Sequence, residues 1–336
     1  MNMQLPSLEE IIEHSHVVSL DMRVKFRGVT QREALLIQGP AGWGEFSAFL
    51  EYGPAEASKW LAAGIEAAYQ PFPTPLRSSI PVNATLPAVG AGEVGRVLEN
   101  YDAPHTIKIK VAEKGQSFDD DLARVAETRR LYPDAALRVD ANMGWDIPTA
   151  VAALERLSDF DLQYAEQPVP GIIGLAEVRR QLRARHVELK IAADEAVRKH
   201  SDPLEVSRLG AADLMVIKAQ PLGGIQAVLD IAAQAQLDVV VSSALDTSIG
   251  LAQAAALAAA LPELPYACGL STGTLLAQDV TSRPLLATAG YLPVHRVEPE
   301  ELLLRDLNPG KERTAWWHRR LAECYAALKE NAEVND

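Results

Sequence analysis

The chain has 336 residues, of which 45 are Asp or Glu and 32 are Lys or Arg, so its formal net charge at pH 7 is -13. This acidic balance argues against binding to nucleic acids or anionic membranes, which usually requires a basic face. Hydrophobic residues make up 48% and charged residues 23%, which is close to the composition of folded globular proteins and excludes bulk disorder. The length predicts about two domains, or one large α/β barrel with additions.

The cysteine content and the N-terminal residues indicate the cellular compartment in which the protein is expected to fold. Cys268 and Cys324 are too few for a disulfide framework or a cysteine-rich metal site, which favours a reducing cytoplasm and oxygen ligands for any metal. The first ten residues lack a basic region followed by an apolar stretch, and no apolar run reaches the roughly 18 residues of a membrane-spanning helix. We therefore expect a cytoplasmic protein without membrane contact. No pattern predicts an oligomeric state.

The first part of the chain, residues 1–78, is predicted to be an α+β domain. Residues 17–26 and 32–38 are typical of two strands joined by a turn, and a Gly-rich segment follows. Pro54–Tyr69 has the apolar spacing of a helix. The proline-rich stretch at residues 70–75 cannot continue that helix and is the best candidate for a linker.

From residue 80 onward, short apolar runs alternate with amphipathic helical segments, such as residues 118–132 and 224–236. The runs cover residues 80–86, 106–111, 137–139, 162–165, 189–192, 214–217, 239–241 and 266–267. Apolar strands that alternate with helices indicate a parallel sheet covered by helices, and eight such units favour a closed barrel. We expect this barrel over residues 79–285, with residues 286–336 as a C-terminal segment. A doubly wound open sheet is the alternative, but its dinucleotide-binding form would need a Gly-x-Gly-x-x-Gly motif after an early strand.

Five consecutive predicted strands end in charged residues. In such a barrel the carboxyl ends of the strands carry the chemistry. Because alternate residues of a strand share a face, Lys108 and Lys110 both point into the barrel mouth. A single charge at a strand end could simply begin a solvated loop, but that interpretation does not explain the whole set. In chain order the set comprises Lys108, Lys110, Asp140, Glu166, Asp194 and Lys218.

Three carboxylates of this set, Asp140, Glu166 and Asp194, would repel one another at a cost of several kcal/mol unless a cation lies between them. Hard oxygen ligands without His or Cys select Mg²⁺, or alternatively Mn²⁺. Lys110 and Lys218 would then flank a small-molecule carboxylate held by the metal. A lysine with a lowered pKa can remove the α-proton of such a carboxylate while the metal stabilises the enediolate, so we predict enolate formation.

The combination of Lys-x-Lys, Asp-Ala-Asn, Glu-Gln-Pro, Asp-Glu and a further lysine resembles the enolase superfamily, specifically its muconate-lactonising subgroup, over nearly the whole chain. The resemblance implies an N-terminal capping domain, a modified (β/α)7β barrel and a C-terminal segment that returns to the cap. It implies that the three carboxylates bind the metal and that Lys110 and Lys218 are the acid/base pair. Lys108 would help to bind the substrate carboxylate and would tune Lys110.

The last two predicted strands distinguish reactions within the subgroup. A mandelate-racemase-like enzyme would need a His-Asp pair near Ser242, and a dipeptide epimerase would need an Asp-x-Asp motif after the eighth strand; this chain has neither. Hydroxyl and backbone N–H groups here instead suit an anionic tail such as a succinyl carboxylate. The candidate substrate-binding residues are Lys108, Asn142, Ser242, Ser243, Gly269, Leu270 and Ser271.

The cap supplies a further indication. Residues 26–30, Arg32-Glu33 and Gly42–Phe46 look like the cap loops of subgroup members that dehydrate 2-succinyl-6-hydroxy-2,4-cyclohexadiene-1-carboxylate in menaquinone biosynthesis. We expect the loops around Arg27–Thr30 and Phe46–Phe49 to close over the barrel mouth, with Phe46 and Phe49 either touching substrate or packing in the cap core. Racemisation of N-succinyl amino acids is the alternative reaction, and a non-catalytic barrel is a more remote alternative.

Overall fold

The structure is a computed structural model, and it describes residues 5–26, 28–199 and 202–335. The fold consists of an antiparallel cap and a parallel barrel. Within these ranges a three-stranded antiparallel sheet comes first in the chain and a seven-stranded parallel sheet follows it. A small two-stranded sheet pairs Tyr291–Pro293 with Ser79–Pro81. The predicted α/β class, with an α+β cap and a modified (β/α)7β barrel, is confirmed.

The cap is built from two helices and three strands in the order β1-β2-β3. These elements are α1 (Leu8–Glu13), β1 (Ser15–Phe26), β2 (Val29–Gly39), β3 (Gly42–Phe46) and α2 (Pro54–Tyr69). The predicted hairpin and helix are present, but the Gly-rich segment proves to be the third strand. Its glycines serve close packing, because a Cβ atom at Gly44 would lie 1.9 Å from the carbonyl oxygen of Gly64 in α2.

The expected cap loop at residues 26–30 is a tight turn. Phe26 pairs directly with Val29 across the hairpin, so most of the segment belongs to β1 and β2. Gly28 has a φ of +79°, a left-handed conformation that glycine adopts without strain. Arg27, which belongs to the same prediction, lies outside the described residues.

The barrel strands are parallel and follow the order β11-β10-β9-β8-β7-β6-β5. The strands are β5 (Ala84–Leu86), β6 (Thr106–Lys110), β7 (Ala136–Asp140), β8 (Leu162–Glu166), β9 (Ile191–Ala193), β10 (Leu214–Ile217) and β11 (Asp238–Val241). The helices around them are α3 (Val94–Leu98), α4 (Phe118–Leu131), α5 (Ile147–Leu157), α6 (Ile172–Ala184), α7 (Glu195–Arg198), α8 (Glu205–Arg208), α9 (Ala219–Leu222), α10 (Ile225–Gln234) and α11 (Ser248–Ala260). Before β5 lies β4 (Ser79–Pro81), so the predicted run at residues 80–86 divides into two strands.

The predicted eighth strand at residues 266–267 is wrong in its extent. The ring is closed two residues later, where Cys268 bridges to Val82 and Gly269 bridges to Ser242. Four backbone hydrogen bonds of 2.7–3.1 Å join these two residues to the edges of the sheet. Pro262 and Pro265 lack the N–H groups that a longer ladder would need.

The C-terminal part of the chain packs against the cap. It contains β12 (Tyr291–Pro293), α12 (Glu301–Asp306) and α13 (Lys311–Asn335). Strand β12 pairs with β4, and α13 packs against α2. Trp317 on α13 donates its indole N–H to Glu33 of β2 over 2.7 Å, and Arg313 pairs with the same carboxylate. The division at residues 78 and 285 stays a prediction. In the described ranges, no helix is both long and apolar enough to cross a membrane.

We predict that Gly44→Ala lowers the free energy of unfolding by about 1–3 kcal/mol, the usual cost of overpacking, because the new methyl group would push β3 away from α2. Urea denaturation measures this change. Gly92→Ala is the control, since a Cβ atom there meets nothing within 4 Å. Equal stability of the two variants would contradict the packing argument.

Candidate active site

Strand register brings the predicted charged residues together. Lys110 of β6 lies opposite Asp140 of β7, and Asp140 lies opposite Glu166 of β8. Glu166 in turn pairs with Ala192 of β9, two residues before Asp194, so all of these side chains leave their strands near the same edge. Neighbouring strands lie about 4.8 Å apart, and this spacing forces the carboxylates into close proximity.

Lysine ammonium groups stand between the carboxylates. Lys108 Nζ donates to both oxygens of Glu166, at 3.2 and 3.1 Å, and lies 3.3 Å from Asp140 Oδ2. Lys110 Nζ donates to Asp140 and to the side-chain oxygen of Asn142. The aromatic ring of Phe26 covers Lys110 from the cap side, with its centroid 5.1 Å from Nζ.

Across the mouth, Asp194 holds a second pair of cations. Lys218 Nζ, just after β10, donates to Asp194 Oδ2 over 2.6 Å. Arg198, one turn further along α7, donates to Asp194 Oδ1 over 3.2 Å and to the Tyr52 hydroxyl over 2.9 Å. Arg198 thereby connects a barrel carboxylate to the cap.

The two outer lysines lie on opposite sides of the barrel. Strands β6 and β10 are four places apart in the sheet order, and Cys268 and Gly269 close the ring as an eighth position. Four places in a ring of eight is half of the circumference. Lys110 and Lys218 therefore face one another across the mouth.

The electrostatics follow from burial and from this pairing. Burial opposes ionisation of Asp140 and Asp194, but the adjacent lysines outweigh it and hold both carboxyl pKa values well below their usual range. Burial and the Asp140 charge raise the pKa of Glu166 to about 7, in spite of Lys108. Burial lowers the pKa of Lys108, yet Glu166 and Asp140 more than offset it and raise the pKa above its ordinary value.

The chain leaves several of these strands through left-handed backbone. Asn142 (φ 43°), Gln167 (φ 39°) and Leu245 (φ 64°) lie just after β7, β8 and β11. Such conformations are uncommon for residues other than glycine and cost of order 1–3 kcal/mol each. Hydrogen bonds hold two of these residues in place. The Asn142 N–H donates to Asp140 Oδ1, and the side-chain oxygen of Gln167 accepts from the Asp194 N–H. Strained positions of this kind cluster at functional sites.

A cavity opens above the charged residues. Of the sequence-predicted site residues, it is lined by Lys108, Lys110, Asp140, Asn142, Asp194, Lys218, Ser242, Ser243 and Gly269. Its cap side is formed by Phe26, Phe49 and Trp60. Phe49 therefore reaches the cavity, whereas Phe46 packs in the cap core against Trp317.

Three other predicted residues lie beside the cavity rather than on its surface. Glu166 is buried behind Lys108, and Leu270 is fully buried in the barrel core. Ser271 borders a neighbouring cavity with Ala84 and Tyr101. Thr272, the next residue of the same loop, lines the cavity in their place.

The loops after β11 and around Gly269 touch closely. Ser243 donates its hydroxyl to the Gly269 carbonyl over 3.0 Å and lies 2.7 Å from the Thr272 hydroxyl. A Cβ atom at Gly269 would come within 2.4 Å of Ser242 Oγ, so a larger residue there would displace the Ser242 hydroxyl. The predicted hydroxyl-rich wall is thus assembled from two loops.

The carboxylate set suits a hard divalent cation in chemistry, because each member is a buried oxygen donor already paired with positive charge. In the part of the chain that the structure describes, no three His, Cys, Asp or Glu side chains are grouped closely enough to hold one ion. The fit of this set to a divalent ion therefore rests on its donor chemistry and not on a preformed cluster.

Sequence reasoning missed Arg198 and Leu245, both of which line the cavity. Arg198 follows Asp194 by four residues, the spacing at which helical side chains meet, and that spacing was a usable signal. Leu245 carries no such signal, because its place depends on contacts with the cap.

The chain is similar to known proteins over almost its whole length. Residues 93–299 match the family model described as "Enolase C-terminal domain-like", and residues 17–68 match "Enolase N-terminal domain-like". The chain is 50% identical to an o-succinylbenzoate synthase of Mycobacterium tuberculosis over 96% of this chain and 97% of that protein. It is 49% identical to an o-succinylbenzoate synthase of Mycolicibacterium smegmatis, over 96% of this chain and 99% of that one.

Solved structures share the fold at lower identity. A muconate lactonizing enzyme from Pseudomonas fluorescens, complexed with muconolactone, superposes with a TM-score of 0.75 and 20% identity, over 88% of this chain and 97% of that one. An N-succinyl Arg/Lys racemase from Bacillus cereus gives a TM-score of 0.72 and 19% identity, over 88% and 97% of the two chains.

Proposed function

Because the chain belongs to the enolase superfamily and, within it, to the o-succinylbenzoate synthases, we propose that it dehydrates 2-succinyl-6-hydroxy-2,4-cyclohexadiene-1-carboxylate to 2-succinylbenzoate in menaquinone biosynthesis. It is an enzyme of the lyase type that acts on a small molecule. The observation that carries the proposal is that Lys110 and Lys218 face one another across a single cavity. An enolate-forming reaction needs a base on one face of the substrate and positive charge on the other.

Enzymes of this superfamily generally use Mg²⁺, and we assign the ion to Asp140, Glu166 and Asp194. When bound there, Mg²⁺ supplies Lewis-acid stabilisation of the negative charge that develops on the substrate carboxylate. The donor set favours Mg²⁺ or Mn²⁺ because all of its ligand atoms are carboxylate oxygens. Lys108 adjoins two of these ligands and is proposed to contact the same substrate carboxylate.

The charge balance of the site supports a dianionic substrate. The carboxylates of Asp140, Glu166 and Asp194, when ionised, are matched by three buried lysine ammonium groups, those of Lys108, Lys110 and Lys218. A divalent cation leaves this set with two excess positive charges while Lys110 is protonated, and the ring carboxylate and the succinyl carboxylate would neutralise them. One excess positive charge remains when Lys110 is neutral and acts as the base. Buried charge without such compensation would cost several kcal/mol.

Both proton transfers are assigned to Lys110. In neutral form, Lys110 removes the ring proton α to the carboxylate, and the electron pair of the broken C–H bond enters the enediolate. The Lys218 ammonium, on the opposite face, stabilises that anion. The C–O bond to the hydroxyl group then breaks, its departure completes the aromatic ring, and the proton on Lys110 converts the leaving hydroxide to water. Lys110 can serve as a base once Asp140 no longer favours its charged form, which is what coordination of Asp140 would achieve.

The cavity wall is suited to the rest of the substrate. Phe26, Phe49 and Trp60 offer apolar faces to the six-membered ring and exclude water from the enediolate. The Ser242 and Ser243 hydroxyls and the backbone near Gly269 are proposed to bind the succinyl carboxylate. Leu270 and Ser271, which do not face the cavity, would act in this through their backbone positions.

Racemisation of N-succinyl amino acids is a second candidate activity. It is favoured by the placement of one lysine on each face of the cavity, since racemisation needs a base on both sides. The same site could carry out both reactions on substrates that share a succinyl group.

We propose the cytoplasm as the location of the enzyme. Cys268 and Cys324 are free thiols, and both are buried, as expected of a chain that folds in a reducing compartment.

We predict that Asp194→Asn weakens Mg²⁺ binding by more than about a hundredfold, because a ligand should matter more than the outer partners of ligands, whose loss costs about 10–100-fold. Isothermal titration of the EDTA-treated protein with MgCl₂ measures this effect, and circular dichroism checks the fold. Asp230→Asn, the same change on the exposed face of α10, is the control. Wild-type Mg²⁺ affinity in Asp194→Asn, or full activity of EDTA-treated enzyme, would refute the metal assignment.

We predict that the two lysines differ in what they must do. Lys110→Ala and Lys218→Ala should each lose several orders of magnitude in kcat, since a general-base step alone contributes about 10²–10⁴. Lys218→Arg keeps a positive charge but cannot act as a base near neutral pH. It should therefore retain measurable dehydration while losing racemisation of an N-succinyl amino acid.

Rates of product formation and of loss of optical rotation measure the two activities. Wild-type racemisation by Lys218→Arg would eliminate the two-base scheme. Wild-type dehydration by Lys110→Ala would eliminate Lys110 as the base.

A further inference from the structure

A buried arginine of the cap, Arg32, holds one wall of the reaction cavity. Arg32 lies on β2, is 3% exposed and does not itself line the cavity. Its Nε–H donates to the Leu245 carbonyl over 3.1 Å, and Nη2 donates to the Ala244 carbonyl over 3.2 Å. Ala244 and Leu245 follow directly after the predicted substrate-binding serines and line the cavity.

The same guanidinium also touches the opposite, cap-side wall. It lies 4.6 Å from the ring centroid of Phe49, and it donates to the hydroxyl of Ser47 over 3.0 Å. Phe49 lines the cavity as well. One planar group from the cap therefore fixes both a cap aromatic ring and a barrel loop, through bonds that a point charge could not make together.

The barrel loop needs such support because its backbone is strained. Leu245 adopts a left-handed φ of 64°, which an L-residue occupies at a cost of order 1–3 kcal/mol unless the surroundings impose it. Arg32 donates hydrogen bonds to the carbonyl groups on both sides of the Leu245 Cα atom, those of Ala244 and Leu245. The strained turn directs the Leu245 side chain into the cavity.

Two carboxyl groups, those of Glu45 and Asp246, lie close enough to Arg32 to favour its charged form. Glu45 of β3 accepts hydrogen bonds from the Thr247 N–H and the Gly250 N–H, each over 3.1 Å, so it secures the far end of the same loop. Asp246 is buried, and its Oδ1 atom has no hydrogen-bond partner among the described residues. Burial and the Glu45 charge raise the pKa of Asp246 to about 7, while Arg32 opposes that rise.

We propose that Arg32 is a positioning residue that sets the shape of the cavity wall formed by Phe49, Ala244 and Leu245, and so determines how tightly the enzyme holds its succinyl-bearing substrate. The substrate named in this inference rests on the proposed function. The arrangement of the wall does not depend on it. Arg32 acts through these wall residues and touches neither the substrate nor the proton-transferring lysines.

The test compares Arg32→Lys and Arg32→Met with a matched control, Arg296→Lys. Arg296 also donates to two carbonyl groups, those of Ala67 and Gln70, and also stacks on a phenylalanine, Phe72, but it lies away from the cavity. Steady-state kinetics, titration with 2-succinylbenzoate and with MgCl₂, thermal melting, and amide hydrogen exchange of residues 242–250 are measured for each protein. Arg32→Lys keeps the charge, so it remains informative should Arg32→Met fail to fold.

In Arg32→Lys we expect KM and the Kd of 2-succinylbenzoate to rise about tenfold, equivalent to about 1.4 kcal/mol, while kcat changes less than about threefold. We expect Mg²⁺ affinity to stay at the wild-type value and exchange at residues 242–250 to accelerate. Arg296→Lys should show neither change in ligand binding nor faster exchange at these residues.

A loss of melting temperature shared equally by Arg32→Lys and Arg296→Lys, with wild-type KM, Kd and exchange, would reduce Arg32 to an ordinary interface residue and overturn the proposal. An unchanged exchange rate at residues 242–250 would overturn it as well. If wild-type protein fails to dehydrate the cyclohexadiene substrate, the proposed function fails, but the exchange comparison still decides the role of Arg32.

Discussion

The mutual repulsion of three carboxylates, Asp140, Glu166 and Asp194, is the constraint on which the rest of the structure depends. Parallel strands in register bring their side chains to one edge of the sheet, and burial removes the water that would otherwise screen them. Three lysine ammonium groups offset this repulsion, and each lies within hydrogen-bond distance of a carboxylate. The lysines that offset this repulsion are thus the same groups that are proposed to act on a bound carboxylate.

Further contacts surround these buried ion pairs. The left-handed residues at the strand ends, the capping interactions of Gln167 and the cap contacts of Arg198 all limit how far the carboxylates can move. Preorganisation of this kind reduces the cost of binding and of reaction.

The parts of the fold and of the site that could be predicted from sequence are those governed by local rules. Alternation along a strand and the position of its last residue indicated Lys108, Lys110 and Asp140 without knowledge of tertiary contacts. The third cap strand was missed because its glycines look like a loop, although they serve close packing against α2. The eighth strand was misplaced because its few bonds are determined by the two edges that it joins.

The same distinction applies to the loops after β11 and around Gly269. Gly269 lines the cavity as predicted, but Leu270 and Ser271 turn away from it, since the direction of a loop side chain depends on neighbours that are distant in sequence. Arg32 and Leu245 are separated by more than two hundred residues, so their contact left no periodic signal. Sequence patterns therefore identified the chemical groups better than the walls that surround them.

The pairing of the chain's two ends has a consequence for the order in which this protein can mature on the ribosome. Glu33, near the beginning of the cap, finds its partners Arg313 and Trp317 near the end of the chain. Helix α2 likewise packs against α13. Helix α13 is synthesised after every strand of the barrel, so the cap gains these contacts only after the barrel sequence has been made.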